Sequence, residues 1–243
     1  MSKTPPEYCY LCDVLLHRYE IAPGASPPDD HRTRDHVPPE GLFPDPKPTN
    51  LITVPCCYRC NRSFSKLDEQ FRAIVSMAAN VSGAGTDIMR TKVFDRSLKK
   101  SPKLKSQIGQ SIFPGTLQTP HGPVTGPLIA MDRKDFEPYL IRITKGLLAH
   151  LYPQVDYSGL IFSVVQLGQF QADQPRFRDM AAILKYGQRG DGVFRFWHGM
   201  AKEEPSSGLW ILQFYEAALF LVKHRKGPWP QAAEVTYVSP GSW

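Results

Sequence analysis

The sequence predicts an α+β protein, with a zinc-stapled N-terminal finger ahead of a C-terminal mixed α+β domain. Three observations point there. Two Cys-x-x-Cys pairs, Cys9/Cys12 and Cys57/Cys60, lie within the first 60 of 243 residues. Directly after the second pair, Phe64, Leu67, Phe71, Ile74, Val75 and Ala78 recur at the three- and four-residue spacing of an amphipathic helix. From residue 131 onward one helical stripe is followed by β-rich runs, an α+β order and not an alternating βαβ one.

Residues 1–80 read as the finger. The Cys9–Cys12 knuckle leads into a polar, Pro-rich loop over Ile21–Arg34, and Asp35-His36-Val37-Pro38-Pro39 then opens the turn-rich Leu42–Pro48. Asn50–Val54 is a short β-branched run of strand type. The predicted order is knuckle, loop, hairpin-like pair, knuckle, helix. Residues 81–130 read as a linker or extension, with a short helix near Thr86–Leu98, a basic patch at Lys99, Lys100, Lys103 and Lys105, and a Gly- and Pro-rich stretch Pro114–Pro127 suited to a hairpin. Residues 131–243 read as an α+β domain of unassigned role. Its helix follows Asp132 and carries Phe136, Leu140, Ile143, Leu147 and Leu151 as one stripe. Strands are expected over Leu160–Val165, Val193–Met200 and Leu209–Tyr215, the last continuing through Ala217–Val222, with Trp197, Tyr215 and Phe220 as core aromatics.

With 42% hydrophobic residues the chain can bury a core, which excludes a disordered segment. Its 29 Lys and Arg against 23 Asp and Glu give a net charge of +6, which favours an anionic partner such as DNA, or RNA. No apolar run reaches the roughly 18 residues of a spanning helix, and the N-terminus lacks signal-peptide regions. The expectation is a cytoplasmic protein without a membrane partner. Four of the five cysteines form the two pairs, whereas a disulfide framework would be even in number and spread along the chain. The thiols are therefore read as ligands of a structural Zn²⁺, with Cys56 left over.

A site closed by four thiolates has no open position for substrate, so chemistry falls to its neighbours. His36 brings an imidazole, the side chain suited to act as a general base at neutral pH. Asp35 and Asn61 offer hard oxygen donors for a second ion, Mg²⁺ or Mn²⁺. Such an ion polarises a scissile phosphate and neutralises the departing oxygen. Arg34, Arg59, Arg62 and Lys66 stand ready for phosphates, which positions a duplex without reading bases.

Cys9-x-x-Cys12, Asp35-His36-Val37-x-Pro39, Asn50-Leu51, Cys57-x-x-Cys60-Asn61 and Phe64-Ser65-Lys66 together resemble the zinc-ribbon HNH endonucleases. The resemblance covers about residues 7–80. It implies a ββα-metal, treble-clef-like finger in which His36 is the general base, Asp35 and Asn61 hold the divalent ion, and the Asn50 amide braces the loop. It also implies phosphodiester hydrolysis in DNA. Residues 131–243 are expected to serve a homodimer or a protein partner. A zinc-stapled binding module without catalysis is the alternative from another class. A zinc deaminase is excluded, because Pro55-Cys56 would place Arg59 where its second cysteine belongs.

Overall fold

The computed structural model describes residues 6–78, 82–119, 122–129, 132–167 and 175–229. The fold is mixed α+β, as expected. A two-stranded antiparallel hairpin, β1 (Arg32–Val37) with β2 (Ile52–Cys57), sets Asp35 opposite Val54 and His36 opposite Thr53. It runs into α1 (Tyr58–Ser63) and, past Phe64, into α2 (Ser65–Ala78). Asp35 and His36 therefore stand in a strand and not in a loop. Polar composition argued for a loop, but main-chain pairing with the β-branched run of β2 overrides it.

The expected linker is structured. A continuous helical stretch comprises α3 (Gly83–Ile88), a π-helical segment (Met89–Ser97) and α4 (Leu98–Lys100). Then come α5 (Pro102–Ser111) and the hairpin of β3 (Ile112–Thr119) with β4 (Gly122–Ile129). The long α6 (Arg133–Leu151) precedes a five-stranded antiparallel sheet in the order β5-β9-β8-β7-β6, with β5 Leu160–Leu167, β6 Lys185–Arg189, β7 Phe194–Met200, β8 Gly208–Phe214 and β9 Ala218–Lys226. The run predicted to continue unbroken through Ala217 is a hairpin. Tyr215 and Glu216 both take positive φ, 50° and 61°, and Ala217 N–H donates to Phe214 C=O. Two consecutive left-handed residues form the primed turn that suits antiparallel twist.

The predicted segments share one core. A single buried cluster runs from Cys9 to Val222. Phe71 of α2 sits at its centre, with ring centroids 4.1 Å from Tyr139 and 5.6 Å from Phe136 of α6, and 5.0 Å from Phe214 of β8. The boundaries drawn near 80 and 130 from composition are thus not boundaries of packing. Tyr215 and Phe220 are buried as expected, whereas Trp197 is only half-buried, against exposed Tyr186 on the neighbouring strand.

At Gly146, α6 meets β1. An added Cβ would lie 2.5 Å from Cγ2 and 3.0 Å from Cγ1 of Val37, which is buried and adjacent to His36. Alanine there gains helix propensity of roughly 1 kcal/mol but overpacks the contact by about 1–3 kcal/mol. Gly146→Ala is expected to lower the melting temperature. Gly109→Ala, in α5 with open space around it, is expected to raise it. Thermal melts that move both the same way would rule out the tight α6–β1 contact.

Candidate metal centre and adjacent cleft

The first knuckle is a tight reversal. Cys9 N–H donates to Val14 C=O, Asp13 N–H donates to Cys9 C=O, and Asp13 adopts φ 56°. In the second, Cys57 is the N-cap of α1 and its sulfur accepts from Cys60 N–H at 3.4 Å, so the first helical turn sets the pair. Tyr10 N–H donates to Pro55 C=O and Tyr58 N–H to His31 C=O, which hold the knuckles face to face. The Sγ atoms of Cys9, Cys12, Cys57 and Cys60 all lie within 4.8 Å of one another, with Cys12 and Cys57 3.8 Å apart. A tetrahedron of Zn–S bonds near 2.3 Å has edges of about 3.8 Å, so the four can hold a metal ion such as zinc. Cys56 is buried with its sulfur 3.8 Å from that of Cys9, yet it falls outside this set of four.

Beside the knuckles opens a cleft of about 460 Å³ lined by His36, Asp35, Asn61 and Arg34 from the expected site, and by Glu40, Ser65, Asp68, Arg72 and Arg142 besides. His36 reaches it from β1 and is about one-third exposed. Glu40 Oε2 lies 3.9 Å from His36 Nδ1, too far for a hydrogen bond. Asn61, in the first turns of α1, donates its amide to Thr33 Oγ1 at 3.1 Å and to Arg34 C=O at 3.4 Å. The amide thereby locks α1 onto β1.

Asp35 differs most from expectation. It is buried, and both its oxygens are engaged: Arg142 of α6 donates from Nη2 to Oδ1 at 2.6 Å and from Nε to Oδ2 at 3.0 Å, while Tyr10 Oη donates to Oδ2 at 2.5 Å. Arg142 also donates from Nη1 to Asp68 Oδ1 at 2.8 Å and lies over the Phe64 ring at 4.5 Å. Its fork thus ties β1 to α2. Burial and the charge of Asp35 push the Asp68 carboxyl up to about 6, against the pull of Arg142. Burial beside Asp35 raises Tyr10 well above the phenol range, which keeps it a proton donor. As donors, Asp35 and Asn61 fit a hard divalent ion in kind, and they line one cleft. The charge of Asp35 is nevertheless already matched by Arg142.

Asn50 does not brace the loop. It is exposed in the turn before β2, and no hydrogen bond of its amide is found among the described residues. Lysines do that work, as Lys92 Nζ donates to Phe43 C=O at 2.7 Å and Lys47 Nζ donates to the same oxygen. The four predicted phosphate contacts divide. Arg34 lines the cleft, whereas Arg59, Arg62 and Lys66 line a separate depression of about 520 Å³ over α1. Ser65 borders both.

Tyr10, Asp68 and Arg142 were not singled out by the sequence. Arg142 did leave a signal, because it lies three residues after Tyr139 and beside Ile143 in the apolar stripe of α6. An arginine at a buried helix position needs a carboxylate partner.

No helix among the described residues is long and apolar enough to cross a membrane. No family model, no curated protein and no solved structure matches the chain.

Proposed function

We propose that the protein is an HNH-type endonuclease that hydrolyses phosphodiester bonds in DNA, with His36 as general base. The observation that carries this reading is the convergence of His36, Asp35 and Asn61 on one open cleft beside a four-thiolate metal centre. His36 takes a proton from water at the cleft, with Glu40 Oε2 3.9 Å from its Nδ1. Arg34 at the rim draws the phosphate backbone. A divalent ion, Mg²⁺ or Mn²⁺, would be held by Asp35 and Asn61 and would supply Lewis-acid polarisation of the phosphate. The zinc site is structural, since four thiolates leave it no open position.

His36→Ala is expected to lower plasmid nicking by about 10²–10⁴-fold with Mg²⁺ or Mn²⁺ while leaving bound zinc unchanged. Equal cleavage by the variant and the parent removes His36 from the mechanism. A second reading, a zinc-stapled nucleic-acid or protein binding module without catalysis, is favoured by one observation: Arg142 already neutralises Asp35. Duplex binding without cleavage across Mg²⁺, Mn²⁺ and Ni²⁺ would decide for it.

A further inference from the structure

We propose that a second, basic pocket beside the His36 cleft seats a backbone phosphate of the bound nucleic-acid strand, an inference that rests on the nucleic-acid reading above. The pocket, of about 410 Å³, is lined by Lys47, Arg72, Lys92, Arg96 and Lys100. These cations come from four parts of the chain: the loop before β2, α2, the π-helical segment and α4. It adjoins the cleft directly, since Glu40, Gly41 and Arg72 border both. Gly41 lies against Arg72 at this junction, where a Cβ would come 2.7 Å from Arg72 Nη1.

Local partners leave the positive charge only partly matched. Three carboxylates, Glu40, Asp45 and Glu69, face the five cations. Lys92 is buried, donates to Phe43 C=O and lies 3.6 Å from Asp45 Oδ2. Burial, and after it the neighbouring Lys47, bring its ammonium down to about 8. Arg72 donates from Nη2 to Ser97 Oγ at 3.1 Å, while its Nε is buried with no partner among the described residues. A guanidinium among ammonium groups in a concave wall suits a phosphate. A π-helical segment supplying two of the cations fits the frequent placement of such turns at functional sites.

Arg96 and Lys100 are exposed, so Arg96→Gln/Lys100→Gln should fold like the parent. Binding of a fluorescein-labelled DNA duplex is read by anisotropy across a salt series without added divalent ion, so hydrolysis plays no part. The variant is expected to bind more weakly, with the slope of log K against log salt reduced by about one per lost phosphate contact. Lys202→Gln/Lys223→Gln, with the same loss of charge outside both pockets, is expected to keep the parent slope. Equal affinity and slope for Arg96→Gln/Lys100→Gln and the parent overturn the pocket and leave the His36 reading standing. Reduced binding by a protein that never cleaves supports the pocket and separates it from that reading. Calorimetric binding of inorganic phosphate, lost in the variant, with no binding of DNA overturns the backbone assignment in favour of a small phosphate ligand.

Discussion

Arg142→Leu is expected to destabilise the protein by about 3–5 kcal/mol, the cost of leaving a buried charge without its partner. That corresponds to a fall in melting temperature of roughly 10 °C for a chain of this size. The side chain is 3% exposed, and its guanidinium serves Asp35 through two bonds and Asp68 through a third. Leucine would preserve bulk near Phe64 but strand both carboxylates. The deficit depends on pH with a definite sign. In the parent, Asp68 has its folded pKa raised from 3.8 to about 6. Such a group contributes stability that is present below pH 4 and lost as pH rises through 6. Removing Arg142 takes away the charge that holds the Asp68 pKa down and raises it further, so the variant's deficit is expected to be largest at pH 7 and above and to shrink in acid. Adding Asp35→Asn and Asp68→Asn should recover part of the loss, which a double-mutant treatment of denaturant midpoints reads directly. A deficit below 1 kcal/mol at pH 7, or one independent of pH, would show that Arg142 is not the counter-ion of this core.

Loss of a thiolate ligand is expected to be the second large effect. Cys57→Ala removes both a member of the four-sulfur set and the N-cap of α1. Structural zinc contributes on the order of 10–16 kcal/mol in isolated fingers, so a site missing one ligand loses much of its metal and the fold it closes. The Sγ contact between Cys12 and Cys57 closes a loop of 45 residues, whose ordering the metal would help offset. The variant should purify with less than one equivalent of zinc by elemental analysis, and proteolysis should cut within residues 6–60. Cys56→Ala separates ligand from neighbour. It leaves the four sulfurs in place and removes only a buried thiol next to Cys9. Its expected phenotype is full zinc content with a modest loss of stability. Full zinc content in Cys57→Ala, or zinc loss in Cys56→Ala alone, would reassign the ligand set.

Local rules made several parts of the fold legible. Cys-x-x-Cys spacing identified the four sulfurs that converge, because a tight turn brings residues three apart to one ion regardless of what lies beyond. Three- and four-residue spacing found α2 and α6: Phe71, Ile74 and Val75 of one predicted stripe and Phe136, Leu140, Ile143 and Leu147 of the other are buried, whereas Phe64, Leu67 and Leu151 are half-buried and Ala78 is exposed. Strand pairing was less legible. Arg32–Val37 carries three charged residues and reads as polar loop, yet it pairs along its whole length with β2. Backbone hydrogen bonds to a partner strand leave little trace in side-chain composition. The stretch after α2 was legible in part: the helix expected near Thr86–Leu98 and the hairpin expected over Pro114–Pro127 are both there, each longer than its signal. Its helices and hairpin are weakly patterned, and the charges it carries are used in a pocket built with distant Lys47 and Arg72.

The sequence by itself determined the four cysteines that could hold a metal ion and the α+β class, both consequences of short-range spacing and patterning, while the meeting of Asp35, His36 and Asn61 at one cleft was expected from the clamp those cysteines form. Only the tertiary structure decided what surrounds Asp35. Its partner Arg142 lies 107 residues away, on a helix that composition assigned to another segment. A buried carboxylate must find a counter-charge wherever the chain packs against it, and that choice is made by the shared core through Phe71, Tyr139 and Gly146, which bring α6 against β1 and α2.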